Sequence, residues 1–208
     1  MRKLLRGPAH LVAPTLLGAL LRADSVSGSV VARIVEVEAY GGAGEDPGSH
    51  AFRGQTARNS IMFAGPGLAY VYFTYGMHWC MNVTTGPAGT AGAVLIRAAT
   101  ITFGQELARS RRPGASDRDL GRGPARLSRA MGVDGRFDGV DLLSTTSPLR
   151  LIPGESVAQW ATSPRTGVGG DGATTPWRFY LPDEPTVSPY RPHQRRAGGR
   201  DMSRLARE

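Results

Sequence analysis

Residues 68–85 read LAYVYFTYGMHWCMNVTT. The first eight, Leu68 to Tyr75, and the last eight, His78 to Thr85, are dense in the aromatic and β-branched residues that suit a pleated, half-buried surface. Only Gly76 and Met77 separate the two runs. That spacing predicts a tight β-hairpin, with Gly76 free to take a positive φ and Tyr75 at its shoulder. The turn signal AGPG, Ala64 to Gly67, precedes it. Alternation puts Tyr70 and Tyr72 on one face and Tyr75 on the other, at the tip.

Upstream, Ser29 to Tyr40 (SVVARIVEVEAY) reads as a strand with Val31, Val35 and Val37 on one face and Glu36, Glu38 and Tyr40 on the other. It runs into a polar, glycine-rich segment, Gly41 to Asn59, of 19 residues, which carries His50, Arg53 and Arg58. A connection that long favours a functional loop. Downstream, Ala93 to Ile101 (AVLIRAATI) is a further strand, whose interior Arg97 requires a carboxylate partner. Glu36 and Glu38 are the candidates in type.

The flanks are simpler. Within Pro8 to Arg22, Leu16, Leu17, Leu20 and Leu21 have helical spacing and predict a packing helix, with Pro14 where a first helical turn tolerates it. Gln105 to Arg112 and Pro124 to Gly132 read as helices joined by an Arg-, Asp- and Gly-rich loop. Leu142 to Ile152 and Trp177 to Leu181 read as short late strands, separated by the loop Arg165 to Gly172 (RTGVGGDG). Past Pro189 the composition becomes polar and Arg-rich, which predicts a domain over 1–189 and a mobile basic tail over 190–208.

With 208 residues and 40% apolar content, the chain suits a single core. No apolar run approaches the roughly 20 residues that span a bilayer, and Met1 to Leu5 lacks a signal-peptide cleavage site. These features predict a cytoplasmic protein. One cysteine, Cys80, and four scattered histidines predict neither a disulfide nor a metal site. The formal charge is +8, and all of it comes from residues 105–136 and 191–208, a pattern that suits a polyanionic partner.

Among residues able to do chemistry, Glu38 stands where a strand enters a long polar loop, a common rim for an active site. It reads equally well as a strand-end carboxylate with an arginine partner. Tyr40, His50, Tyr70, Tyr72, Tyr75 and Trp79 offer flat surfaces on which a base could stack, each stack contributing about 1–3 kcal/mol. Strand tyrosines are more often core or cross-strand partners. Tyr75, at a hairpin tip, is placed to wedge into a base stack.

Taken together, EVEAY (Glu36 to Tyr40), SHAFRGQTARN (Ser49 to Asn59), Met62 to Phe63 and above all AYVYFTYGMHWCMN (Ala69 to Asn82) resemble the alkyladenine, or 3-methyladenine, DNA glycosylases. VLIRA (Val94 to Ala98), GPARL (Gly123 to Leu127) and PWRFY (Pro176 to Tyr180) extend the resemblance, which runs in order from about Leu11 to Tyr180. It implies a mixed α/β (α+β) single domain with a curved antiparallel sheet, surrounding helices and a protruding hairpin that enters the DNA minor groove. By the same resemblance Glu38 is the general base and Arg97 helps hold the attacking water. A backbone carbonyl near Thr166 touches that water too.

The resemblance also implies that Tyr40, His50 and Tyr72 enclose the extruded base and that Asn82 crowds the amino group of normal guanine. Tyr75 fills the gap left by the flipped nucleotide, flanked by Met77 and His78. Arg58 and Arg126 contact phosphates. His78 stands where other members can carry an aromatic, and the Tyr40-to-His50 spacing is where the correspondence is loosest.

The implied activity is excision of alkylated or deaminated purines from duplex DNA by a nucleoid-associated monomer that needs no cofactor. Lys3, the only lysine, is far in sequence from every motif, which argues against a Schiff-base lyase step. Two alternatives compete: a module of the same fold that binds lesions without chemistry, and an RNA-binding domain, for which the usual aromatic sheet signature is missing. Base release separates the first, and competition between duplex DNA and RNA the second.

Overall fold

The computed structural model describes residues 1–194. The chain begins with a short helix, α1 (Ala9–Val12), that tightens into a 3-10 turn over Ala13–Leu16 and then enters strand β1 (Leu20–Ser25). The helix expected within Pro8 to Arg22 is therefore corrected: helical structure ends at Leu16, and Leu20 to Arg22 open a strand. Gly18 makes the switch. Its φ is +82°, and a Cβ there would lie 2.3 Å from the Glu155 carbonyl oxygen. The spacing that looked helical also fits a turn followed by alternation, because Leu21 and Ala23 are buried while Leu20 and Arg22 are half-buried.

Strand β2 (Gly28–Tyr40) pairs with β1 along its first half. The hairpin strands β3 (Ala69–Thr74) and β4 (His78–Thr84) and the long β5 (Ala93–Phe103) follow. Next come α2 (Gln105–Arg111), α3 (Asp117–Leu120) and α4 (Pro124–Met131), then β6 (Leu149–Ile152), β7 (Ala161–Ser163) and β8 (Arg178–Tyr180). Helix α3 lies in what the sequence presented as loop. Only Leu149–Ile152 of the expected late strand joins the sheet, since Ser144 and Ser147 spend their backbone N–H groups in turns.

The eight strands form one open sheet, ordered β3-β4-β5-β2-β1-β6, with β8 pairing the second half of β2 and β7 completing that edge. Every pairing is antiparallel. The architecture is α+β, as the sequence motifs imply. No helix among the described residues is long and apolar enough to cross a membrane.

One face of the sheet packs on the main core, where Ala69 and Val71 of β3 meet Met81 and Val83 of β4 and Val94 and Ile96 of β5. Each fully buried Leu or Ile in such a core contributes about 1.5–3 kcal/mol. On β2 the pattern changes phase. Val30, Ala32 and Ile34 are core residues, and so are Val35, Val37 and Ala39. The expected face of Val31, Val35 and Val37 is thus corrected, for Val31 is only half-buried and lies out of phase with the other two.

The cause is a pair of bulges. Val35 has no partner on β5 between the pairs Ile34↔Ala99 and Glu36↔Ala98, and Arg97 has none on β2 between Glu36↔Ala98 and Val37↔Ile96. An extra residue on each strand re-aims the side chains that follow. Glu36, Glu38 and Arg97 accordingly meet on the face opposite the main core, beside Tyr70, Tyr72, Cys80 and Asn82.

Candidate active site

The second face of the sheet is roofed by the Gly41–Asn59 segment and by the loop after β7. Between them lies a cavity of about 270 Å³ walled by Tyr40, His50, Tyr70, Tyr72, Asn82 and Arg97, with Thr166 and Gly167 at its edge. This is just below the roughly 300–1,000 Å³ of sites for small molecules, a size for one flat ring.

Glu38 is fully buried and is not itself part of the cavity wall, to which it connects through its hydrogen-bond donors. Its Oε2 accepts from the Tyr40 hydroxyl at 2.9 Å and from Arg97 Nη1 at 3.2 Å, and its Oε1 accepts from the Thr166 backbone N–H at 2.6 Å. All three donors line the cavity. Glu36, two residues away, accepts from Arg97 Nε, Arg178 Nε, and both the N–H and the hydroxyl of Ser188. A carboxylate has about four acceptor positions. Glu36 is therefore saturated, whereas Glu38 can accept one more donor.

Arg97 connects the two acids, so the partner that its strand position demanded is supplied twice. Burial alone would lower its proton affinity, but Glu38 and Glu36 outweigh that and raise it. Burial, reinforced by Glu38, pushes the Tyr40 phenol well above its ordinary range. Burial also holds the Tyr72 phenol up and takes that of Tyr70 to about 12. These hydroxyls are neutral donors at neutral pH.

His50 projects from the long loop, its Nδ1 2.9 Å from the Tyr70 hydroxyl and its ring edge-on to Tyr72 at 4.6 Å. Burial, helped by Arg58, lowers its pKa below the ordinary 6.5. The neutral imidazole thus forms one wall with Tyr72, and Tyr40 and Asn82 border the same cavity. Asn82 is buried opposite Tyr70 and donates its amide to the Tyr70 carbonyl at 2.9 Å.

The loop that holds His50 is organised by Asn59. Its side-chain amide donates to the His50 and Gly54 carbonyls, and its oxygen accepts the Thr56 N–H.

The hairpin stands at the cavity mouth. Thr74 pairs with His78, leaving a turn of Tyr75, Gly76 and Met77, closed by the Met77 N–H on the Thr74 carbonyl. Tyr75 has φ +51° and Gly76 φ +66°. An exposed tyrosine in that region is strained. Tyr75 is 87% exposed and Met77 67%, and His78 is exposed as well.

Tyr75 borders the cavity, while Met77, His78 and Trp79 border a larger open groove of about 1,300 Å³ on the other flank of the hairpin. Trp79 does not belong with the cavity aromatics. It packs on Phe73 at 4.7 Å and over Gly135. The far wall of the groove is arginine-rich, with Arg111, Arg112, Arg126, Arg129 and Arg136. Arg126 is 3.6 Å from Asp119 with its side chain 53% exposed. Burial, together with Arg126 and Arg129, lowers the proton affinity of Arg112. Arg58 lies by the cavity instead, 6.0 Å over the Tyr72 ring and donating to the Phe73 carbonyl.

At Thr166 it is the backbone amide that engages Glu38. Sequence reasoning missed Asp46, Arg165, Arg178 and Ser188. Arg178 stood in the recognised PWRFY run, and its charge within a strand was the available signal. The remainder of the tail region is partly visible: the Gly167 N–H donates to the Arg191 carbonyl, and His193 Nδ1 to the Gly167 carbonyl at 3.2 Å. Tyr190 to Gln194 are thus fastened to the cavity loop by Arg191 and His193, and the rest of the expected mobile tail lies outside the described residues.

An aromatic cavity over a buried, arginine-held acid, with an exposed ring at its mouth and a basic groove alongside, is the equipment of a DNA glycosylase. Comparison with known proteins gives the family. The methylpurine-DNA glycosylase family profile matches residues 3–185, and the chain belongs to that family. It is 56% identical to a protein of Leifsonia xyli subsp. xyli over 189 residues, 88% of each chain, and 52% identical to one of Streptomyces avermitilis over 196 residues, 92% of each. A Nocardia farcinica protein is 49% identical over 190 residues, 88% of this chain and 87% of its own. All three are provisionally named 3-methyladenine DNA glycosylases.

Proposed function

We propose that the chain flips alkylated or deaminated purines out of duplex DNA and hydrolyses their bond to deoxyribose, with Glu38 as general base. The observation that carries this reading is the carboxylate itself: fully buried, held by three donors that all line the aromatic cavity, and short of one hydrogen bond. Arg97 and the Thr166 N–H hold it in place and aim it.

A water in the open acceptor position would give its proton to Glu38 as its oxygen bonds C1′. The C1′–N bond breaks and its electron pair leaves with the base. A cationic alkylpurine needs no acid for this, whereas a neutral lesion such as hypoxanthine needs a donor to the ring. Tyr40, His50 and Tyr72 would hold the ring, and Asn82 would crowd the amino group of guanine. Tyr75 would occupy the vacated place in the stack, with Met77 and His78 against the neighbouring bases. Extrusion costs least for damaged or mispaired bases, so selection begins before chemistry.

Arg58, Arg126 and the crowded arginines of the groove supply the positive surface for phosphates. The reading also assigns the chain as a monomer without lyase activity, since no step calls for an amine nucleophile.

The decisive experiment is a base-release panel on duplex oligonucleotides carrying hypoxanthine, 3-methyladenine, 7-methylguanine or ethenoadenine. Wild type is expected to release at least one of them. Glu38→Gln is expected to lower release by about 10²–10⁴-fold, the usual range for a lost general base, with lesion affinity nearly unchanged. Full activity in Glu38→Gln would reject the assignment.

A further inference from the structure

Arg165 is the largest fully buried side chain in the protein's described residues, and nothing in the chemistry above uses it. Its two terminal nitrogens grip the Asp46 carboxylate at 2.5 and 2.6 Å, and Nη1 also donates to the Ala39 carbonyl at 2.9 Å. Its Nε has no hydrogen-bond partner. Instead the guanidinium lies between two aromatic rings, with its centre 4.8 Å from Tyr40 and 5.3 Å from Trp177. Trp177 stacks in turn on His10 at 5.1 Å, the planes within 6° of parallel.

What these contacts join is informative. Asp46 also accepts the N–H groups of Gly41 and Gly48, so it ties down the start of the loop that delivers His50. Gly41 follows Tyr40, Ala39 follows Glu38, and Arg165 precedes the Thr166 amide that donates to Glu38. Gly48 admits the guanidinium only because it has no side chain: a Cβ there would lie 2.9 Å from Arg165 Nη2. One planar cation therefore fixes the back of the Tyr40 ring, the root of the His50 loop and the backbone donor to the acid.

Burying such a pair is expensive in desolvation, and a hydrophobic pair of similar volume would often be no less stable. Its advantage lies in directionality. We infer that Arg165, through Asp46 and the Tyr40–Trp177 stack, is a positioning residue that sets the Tyr40 ring and the Thr166 amide relative to Glu38. The inference rests on the glycosylase reading above. A lysine would keep the charge but lose the fork and the plane, and so cannot replace it.

The test uses Arg165→Lys, Asp46→Asn and, as a milder probe that leaves the ion pair intact, Trp177→Leu. Single-turnover base release, affinity for lesion and undamaged duplex, and thermal melting are measured for each, and Arg165→Lys is combined with Tyr40→Phe. Loss of alignment by a fraction of an ångström is expected to slow Arg165→Lys and Asp46→Asn by about tenfold to a hundredfold, since a 1 Å misplacement can cost about 10². Trp177→Leu is expected to give a smaller loss in the same direction.

Undamaged-duplex affinity should stay within about twofold, and the combined variant should lose less than the product of its parts, the sign of two residues acting as a unit. Unchanged release rates in all three variants would overturn the inference. So would losses that merely follow melting temperature and general DNA affinity, or strict multiplicativity with Tyr40→Phe, because each marks a brace with no bearing on the site. Should Arg165→Lys and Asp46→Asn fail to fold, Trp177→Leu decides alone: a slowed step with normal melting supports positioning, and a normal step rejects it. A wild-type chain that releases no base overturns the function and this inference together, and the wild-type lane identifies that failure.

Discussion

His50 illustrates how one residue's state follows from its surroundings. The imidazole is half-buried, faces Tyr70 and Tyr72, and has the Arg58 guanidinium nearby, so its protonated form is disfavoured by burial first and by like charge second. The unfolded chain then binds more protons than the folded one at mildly acid pH, which makes stability rise with pH in that range. The loss begins as pH falls through the ordinary 6.5 and is complete below the depressed folded value. In NMR titrations His50 is expected to titrate below the ordinary 6.5, and Arg58→Ala is expected to move it upward. A His50 resonance that titrates at or above that ordinary value would contradict the packing described here. At the same scale, Glu38 stood out as a candidate in EVEAY, but its burial was not legible, because two of its three donors, Arg97 and the Thr166 amide, come from distant parts of the chain.

The hairpin concentrates backbone strain at its exposed tip. Tyr75 is almost wholly exposed yet sits at φ +51°, a region that costs a side-chain-bearing residue about 1–2 kcal/mol. Tyr75→Gly should relieve that strain and lose little burial, so it is expected to raise stability by up to about 1 kcal/mol after the entropy of glycine is counted. Lesion capture should fall more than affinity for undamaged duplex. Denaturant melts and lesion-binding curves on the same preparation check both halves, and equal binding losses on the two duplexes would count against a wedge. The strands of this element were plain from period-two alternation and the Gly76 turn. The bulges at Val35 and Arg97 were not, since nothing local distinguishes an unpaired strand residue from a paired one. The Pro8 to Arg22 segment was misread because leucines spaced for a helix also satisfy a turn followed by a strand. The 119-residue separation of Asp46 from Arg165 hid their pairing, and an aspartate in a glycine-rich loop reads as an ordinary turn former.

Across the whole molecule, charge and shape divide at the hairpin. The aromatic cavity lies on one flank and the arginine-walled groove on the other. Affinity for duplex DNA is expected to fall steeply as salt rises, and Arg126→Ala should weaken binding on every sequence while reducing the slope of log K against log salt by about 1. Fluorescence anisotropy over a salt series measures this, and a slope equal to that of wild type would remove Arg126 from the phosphate contacts. The overall architecture was visible in the sequence because its decisive strands and their family motifs lie close together, between Glu36 and Ile101. Of the two three-residue late strands, β8 falls within the Trp177 to Leu181 run that read as a strand, whereas β7 is too short for periodicity to register.

The unpaired Val35 also bears on how tolerant this chain is to change. A version lacking that one residue would still spell a good strand and could still form its ladder. Ile34 would then be followed directly by Glu36 in unbroken alternation, so both acids would keep their face, and what would be lost is the added bend and twist that the extra residue gives the strand. Loss of a single codon there would alter the aim of the two acids without touching any group that lines the cavity.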